Sequence, residues 1–307
     1  MAELYDGPVV DAHQHYWDPV ENPSYPWLRP DVNIPFRYGD YSSIKRRYLP
    51  PDYFEDAAGQ NVVETVYVEA EWAPTDPVGE TRLIHALAQR EGVPNAMVAQ
   101  AWLHHDDAAD VLAAQAGFPL VRSVRHKPGG PASPGEVGGS TTLMSDEGWR
   151  RGYAVLARHG LHFDLQTPWW NLPEAARLAR DFPATTIILN HTGLPSDRSE
   201  AGLAGWRQAM AGLAEQPNVA VKISGLGLRG EPWTVESNGW IVREVIAMFG
   251  VQRVMFASNF PVDGLCARFA TIFDGFRAIV RDRPRADQEA LFCGNARRYY
   301  RTGGAAA

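Results

Sequence analysis

Residues 185–224 read TTIILNHTGLPSDRSEAGLAGWRQAMAGLAEQPNVAVKIS, and this stretch decides the predicted fold. Two short apolar runs, 185–191 and 218–224, flank a segment over 200–216 in which apolar residues recur at helical spacing. A strand, a helix and a strand in this order favour two parallel strands joined by a crossover helix.

The same pattern recurs along the rest of the chain. The six further apolar runs are 8–13 (PVVDAH), 62–70 (VVETVYVEA), 95–101 (NAMVAQA), 120–125 (LVRSVR), 161–166 (LHFDLQ) and 252–258 (QRVMFAS). Helical spacing is found over 79–91, 106–116, 146–159, 173–181, 234–249 and 265–282. Eight parallel strands with intervening helices predict a single-domain (β/α)8 TIM barrel over residues 1–307. Periodicity alone leaves a doubly wound sheet as the alternative.

Composition restricts the class of protein. The 307 residues are 45% hydrophobic and 21% charged, which excludes a disordered chain and a coiled coil. The formal net charge of −7 disfavours nucleic acid and anionic membranes as partners. The sequence has no long apolar stretch and no leader-like start, which predicts a cytoplasmic protein. Its two cysteines, Cys266 and Cys293, are too few for a disulfide framework.

Two segments lie outside the strand and helix pattern. Residues 18–53 are rich in proline and aromatic residues without a clear period, which predicts an irregular loop over one face, of the kind that forms lids. Residues 127–142 (KPGGPASPGEVGGSTT) follow the fourth strand and predict either a mobile flap or a plain linker.

Histidines stand at predicted strand ends, where the loops of a barrel surround one bowl. His13 and His15 are two residues apart on the first strand, so their imidazoles point to the same side, and His191 ends another strand. Three neutral histidines are a known catalytic zinc set, so they predict a site for a divalent metal such as zinc or manganese. The alternative is three buried histidines satisfied by hydrogen bonds.

Other side chains at strand ends suit a small polar or cyclic substrate. Arg125 and Lys222 would hold anionic or hydroxyl groups, with salt bridging as the alternative. Aromatic stacking and hydrogen bonding would come from Trp72, Trp102, Gln166 and Trp170, with ordinary packing as the alternative for the tryptophans.

Six motifs resemble the amidohydrolase superfamily, in the branch of the sugar lactonases and 2-pyrone-4,6-dicarboxylate lactonase. They are VVDAHQHYWDP (9–19), LHFDLQ (161–166), IILNHTGLP (187–195), VAVKISGLG (219–227), RVMFASNFPVD (253–263) and FCGNARRYY (292–300). The resemblance implies a distorted (β/α)8 barrel, hydrolysis at the carboxyl ends of the strands, and a metal-binding role for His13, His15 and His191.

One position departs from the family pattern. The eighth strand of the family usually ends in Ser-Asp-x-Pro, whereas this chain has Ser258-Asn259-Phe260-Pro261. A carboxamide does not accept a proton near neutral pH and binds divalent cations less well than a carboxylate does. Asn259 is therefore expected to orient water or substrate. Glu71 is the expected general base, with Glu69 and Asp263 as alternatives.

These observations favour a hydrolase that opens a small cyclic ester, such as a sugar-acid or carboxylated lactone, without an organic cofactor. The expected partner is the small-molecule substrate, and self-association is left open. Two alternatives remain, a non-oxidative decarboxylase on the same barrel and a catalytically degenerate scaffold homologue.

Overall fold

A computed structural model of the protein describes residues 4–303, so the first three and last four residues of the predicted domain lie outside the described residues. Eight strands form one parallel sheet in sequence order, each paired with the next. The strands are β1 (Val9–Gln14), β2 (Val62–Val68), β3 (Ala96–Gln100), β4 (Val121–Arg125), β5 (His162–Leu165), β6 (Ile187–Leu189), β7 (Val219–Ile223) and β8 (Val254–Phe256). The predicted single-domain barrel is confirmed, because a doubly wound sheet would reverse its strand order.

Helices lie between successive strands and after the last one. They are α1 (Pro50–Asp56), α2 (Gly79–Glu91), α3 (Ala108–Ala116), α4 (Glu147–Val155), α5 (Leu172–Asp181), α6 (Glu200–Ala214), α7 (Val235–Phe249), α8 (Phe269–Val280), α9 (Arg285–Glu289) and α10 (Asn295–Tyr300). Side-chain caps begin three of them: Asp146 accepts from Trp149 N at 2.7 Å, Ser199 from Gly202 N, and Thr234 from Ser237 N. Among residues 4–303, no helix combines the length and the hydropathy needed to cross a bilayer.

The barrel closes where the first and last strands end. Asn259 N donates to His13 O and His15 N donates to Phe260 O, both at 2.8 Å. Below this contact, the Asp11 carboxylate accepts hydrogen bonds from Ser258 N, at 2.8 Å, and from the Ser258 hydroxyl. The closure therefore places the histidines of β1 beside Asn259.

A bulge in β1 turns His13 toward the barrel interior. The pairing of β1 with β2 shifts register between Asp11 and Gln14, and Ala12 already packs in the interior apolar cluster. Regular alternation would place the residue after Ala12 on the outer face. The extra residue of the bulge lets both Ala12 and His13 face inward.

A buried ion pair crosses the barrel interior. Lys222 Nζ lies 2.6 Å from Asp164 Oδ1, and both side chains are 0% exposed. The hydroxyl of Tyr300 from α10 and the amide of Asn190 also donate to the Asp164 carboxylate. Burial lowers the pKa of Lys222, and Asp164 opposes that change. Lys222, expected to bind substrate, is thus enclosed in the barrel with a carboxylate partner.

We expect Lys222→Met to lower the free energy of unfolding by about 3–5 kcal/mol, because it leaves the Asp164 charge buried without its cation. Urea unfolding followed by circular dichroism measures this. The matched control is Lys127→Met, whose ion pair with Glu71 is about two-fifths exposed, so its expected loss is about 0–1 kcal/mol. Equal losses in the two variants would contradict a structural role for Lys222.

Candidate active site

A cavity of about 310 Å³ opens at the carboxyl ends of the strands. Its polar lining comes from strand ends and includes His15, Glu71, Arg125, Gln166, His191 and Asn259. Its other wall comes from Trp17 and from the 18–53 loop, which contributes Trp27, Ile34, Phe36 and Arg37. We call this space the main cavity. The irregular loop therefore contributes directly to the site.

A second cavity of about 350 Å³ borders the main cavity and shares Trp27, Glu71, Arg125 and Lys127 with it. Trp72 and Trp102, both expected to bind substrate, line this second cavity and do not line the main one.

The first-strand histidines converge through their ring nitrogens. His13 Nε2 lies 3.3 Å from His15 Nε2. His15 Nδ1 lies 2.7 Å from Val68 O, so Nδ1 carries the proton and Nε2 of a neutral His15 is an acceptor. The ring of His191 is centred 4.7 Å from that of His13, and its Nδ1 lies 2.9 Å from Ser224 Oγ. The structure thus brings the three predicted histidines together.

These histidines are held neutral. Burial, aided by the Arg125 guanidinium, lowers the pKa of His15 to about 3. Burial also places the pKa values of His13 and His191 well below their usual range, with Lys222 and Arg37 as the respective next causes. The imidazoles therefore act as neutral hydrogen-bonding groups near pH 7.

The donor set fits only part of a zinc site. Two nitrogens 3.3 Å apart suit neighbouring corners of a tetrahedron with zinc–nitrogen bonds of about 2.0–2.1 Å. A catalytic zinc normally takes three protein ligands. Within residues 4–303, however, no three His, Cys, Asp or Glu side chains are arranged to hold an ion. The residues present do not complete the site expected for His13, His15 and His191, so we derive no reaction step through a metal.

Each of the three guanidinium nitrogens of Arg125 donates a hydrogen bond to a protein partner. It donates from Nη1 to Gln166 Oε1 at 2.8 Å, from Nη2 to Glu69 O at 2.6 Å, and from Nε to the Glu69 carboxylate. Arg125 and Glu69 are both nearly fully buried. Arg125 thus presents a positive charge of fixed position, and Glu69 is committed to that arginine.

Glu71 is the carboxylate that reaches solvent in the cavity wall. Its backbone N–H donates to Glu69 Oε2 at 2.7 Å, and its side chain, 41% exposed, pairs with Lys127. Asp263, the other alternative base, is buried. Of the three predicted base candidates, Glu71 alone lines the main cavity.

The side-chain amide of Asn259 is hydrogen-bonded to the carboxylate of Asp263. Asn259 Nδ2 donates to Asp263 Oδ1 at 2.7 Å, and Asp263 also accepts from Tyr38 Oη and Gly225 N, both at 2.9 Å. Burial raises the pKa of Asp263, and Arg37 together with these donors opposes the rise. An aspartate at position 259 would place a second carboxylate against the first, which gives a physical reason for the amide.

Three cavity residues have left-handed backbone conformations. The φ angles are 59° for Glu71, 54° for His191 and 57° for Asn259. Such angles are uncommon outside glycine and are retained where the surrounding structure holds them, often at functional sites. The strain therefore coincides with the residues that point into the main cavity.

Trp170 lies elsewhere. Its Nε1 donates to Pro131 O at 2.8 Å, and its indole lines a groove with Trp169 beside α5 and α6, apart from the main cavity. The aromatic side chains in the main cavity are Trp17, Trp27 and Phe36. Sequence reasoning missed these three, although the aromatic content of the 18–53 loop was a signal for Trp27 and Phe36.

Comparisons with known proteins agree with this architecture. The amidohydrolase family model matches residues 10–302. The chain is 41% identical to the uncharacterized protein y4mH of Sinorhizobium fredii, over 97% of this chain and 100% of that one. It is 29% identical to an L-fucono-1,5-lactonase of Burkholderia ambifaria, over 85% of this chain and 82% of that one.

Among solved structures, an amidohydrolase from Burkholderia multivorans with bound zinc superposes with a TM-score of 0.79 at 26% identity, covering 96% of this chain and 99% of that one. The resemblance found in the motifs is confirmed by the family match. With its eight-stranded barrel and its cavity at the strand ends, this chain belongs to the amidohydrolase family.

Proposed function

We propose that this protein is a hydrolase that opens a small cyclic ester by attack of water on the carbonyl carbon. The observation that carries the proposal is the main cavity, in which a solvent-accessible carboxylate, a fixed guanidinium and neutral histidines surround one small space. The likeness to a protein named L-fucono-1,5-lactonase supports a lactone as the ester.

Different residues of the main cavity carry out the separate steps of ester opening. Glu71 accepts a proton from water as the water oxygen bonds to the carbonyl carbon, and the carbonyl electrons move onto oxygen. The Arg125 charge and the second amide N–H of Asn259 stabilise the resulting oxyanion. When Ser224 donates to its Nδ1, neutral His191 carries its proton on Nε2 and provides a further donor. Collapse of the oxyanion breaks the ring C–O bond, and the leaving oxygen takes the proton from Glu71.

The product distinguishes this reaction from the alternatives. Sugar lactones and carboxylated lactones are incubated with the protein in a pH-stat, with carbon dioxide measured in parallel. Ester opening consumes one equivalent of base for each lactone. Release of carbon dioxide from carboxylated substrates would instead assign a decarboxylase, and no turnover across the panel would favour a scaffold homologue.

We expect Glu71→Gln to lower kcat/KM by about 100-fold or more, the size typical for loss of a general base. Steady-state kinetics on the best lactone measures this. Lys127→Met is the matched comparison, because it removes the same ion pair and keeps the carboxylate, so its expected loss is less than about 10-fold. An unchanged kcat/KM in Glu71→Gln would contradict the assignment of Glu71 as the general base and leave Glu69 and Asp263 as the candidates.

We expect Asn259→Asp to lower both kcat/KM and the melting temperature, because the new carboxylate would replace a donor 2.7 Å from Asp263 Oδ1. Kinetics and thermal unfolding measure the two effects. The exchanged pair Asn259→Asp with Asp263→Asn restores one donor and one acceptor, so it should recover most of the lost melting temperature. Higher activity together with stoichiometric zinc in Asn259→Asp would contradict this account.

A further inference from the structure

Arg37, from the 18–53 loop, lines the main cavity, and its guanidinium lies over the Tyr38 ring and beside Asp263. Its hydrogen bonds to described residues all use Nη2, which donates to Tyr38 Oη and, at 3.5 Å, to Asp263 Oδ1. The side chain is 26% exposed. Its Nε and Nη1 donors are therefore available to a ligand.

The other cations near the site are already engaged. Arg125 uses all three of its nitrogens on Glu69 and Gln166. Lys127 is paired with Glu71, and Lys222 is enclosed beside Asp164. Arg37 is thus the cation of the described cavity wall best placed to accept a new anionic partner.

Asp263 forms an ion pair with Arg37, but that contact is long and engages only Nη2 of the guanidinium. Its carboxylate accepts shorter hydrogen bonds from Asn259, Tyr38 and the Gly225 backbone, all at 2.7–2.9 Å. The Arg37 contact, at 3.5 Å, is the longest of the four. A carboxylate placed bidentately on the free side of the guanidinium would make shorter, charge-assisted bonds.

The backbone beneath Arg37 is shaped for its close approach. Gly225 has φ +63°, and a Cβ on it would lie 2.6 Å from Arg37 Nη2 and 3.0 Å from His191 Cβ. A Cβ at this position would require the guanidinium and the His191 side chain to shift, so glycine suits this close approach. The guanidinium therefore lies beside His191, where the ester is proposed to react.

From this geometry we infer that Arg37 binds a carboxylate of the substrate, and that the main cavity selects a lactone bearing a carboxylate. The inference rests on the proposed function and names its substrate class. Trp27 and Phe36 stack with ring centroids 5.9 Å apart and supply an apolar wall for the ring, while Arg37 holds the charged substituent.

The test uses D-glucaro-1,4-lactone and D-glucono-1,4-lactone, which differ in having a carboxylate or a hydroxymethyl group at one end. Binding is followed by tryptophan fluorescence, since Trp17 and Trp27 line the cavity, and turnover by pH-stat. We expect Arg37→Gln to weaken binding of the carboxylated lactone by roughly 10- to 100-fold and that of the uncharged lactone by about threefold or less.

Two further variants control for structure and charge. Arg29→Gln removes an exposed arginine of the same loop that pairs with Asp31, and it should leave both affinities unchanged. Arg37→Lys keeps the charge without the planar fork, so it should recover part of the preference for the carboxylated lactone.

Each outcome separates the inference from the proposed function. The wild type could hydrolyse neither lactone and still bind the carboxylated one in a way that depends on Arg37. That result would support the inference and contradict the proposed lactonase activity. Equal loss for both lactones in Arg37→Gln and Arg37→Lys, no wild-type preference, or no wild-type binding of the carboxylated lactone overturns the inference. Hydrolysis of the uncharged lactone in those cases would leave the proposed function in place.

Discussion

The carboxylate of Asp11 ties the first strand of the barrel to the last, and the site depends on that connection. Buried in the wall, it accepts hydrogen bonds from His13 N, from both donors of Ser258, and from Tyr53 Oη. Burial raises the pKa of Asp11, and these donors oppose the rise. Because Tyr53 lies in α1, at the end of the 18–53 loop, the same carboxylate also anchors the segment that covers the cavity.

The charged side chains near the site fall into two groups, those enclosed in the barrel and those that line the cavity. Two enclosed cations are each paired with a carboxylate, Lys222 with Asp164 and Arg125 with Glu69, which avoids the large cost of an isolated buried ion. Glu71 and Arg37, in contrast, line the cavity and keep access to it. Fixed charges beneath a reactive surface give a preorganised electrostatic environment, the usual source of transition-state stabilisation in hydrolysis.

Much of the architecture was predictable because it follows from local patterns. Apolar runs with helical segments between them predicted all eight strands in their order, and the His-x-His pair together with His191 predicted three histidines in one place. The amide at Asn259 was also visible as a departure from the family pattern. Its partner was not predictable from pattern alone, because Asp263 contacts it across a turn whose conformation depends on the closed barrel.

The sequence by itself determined the order of strands and helices, the strand ends and the kinds of side chain found there, since these follow from apolar runs separated by segments of 3.6-residue spacing. Tertiary structure decided which of those side chains are free to act. Lys222 has Asp164 opposite it, Trp170 donates a hydrogen bond to the 127–142 segment, and Arg37 enters the cavity from a loop without a period. Pairing and access depend on residues far apart in the chain, and only the folded barrel brings those partners together.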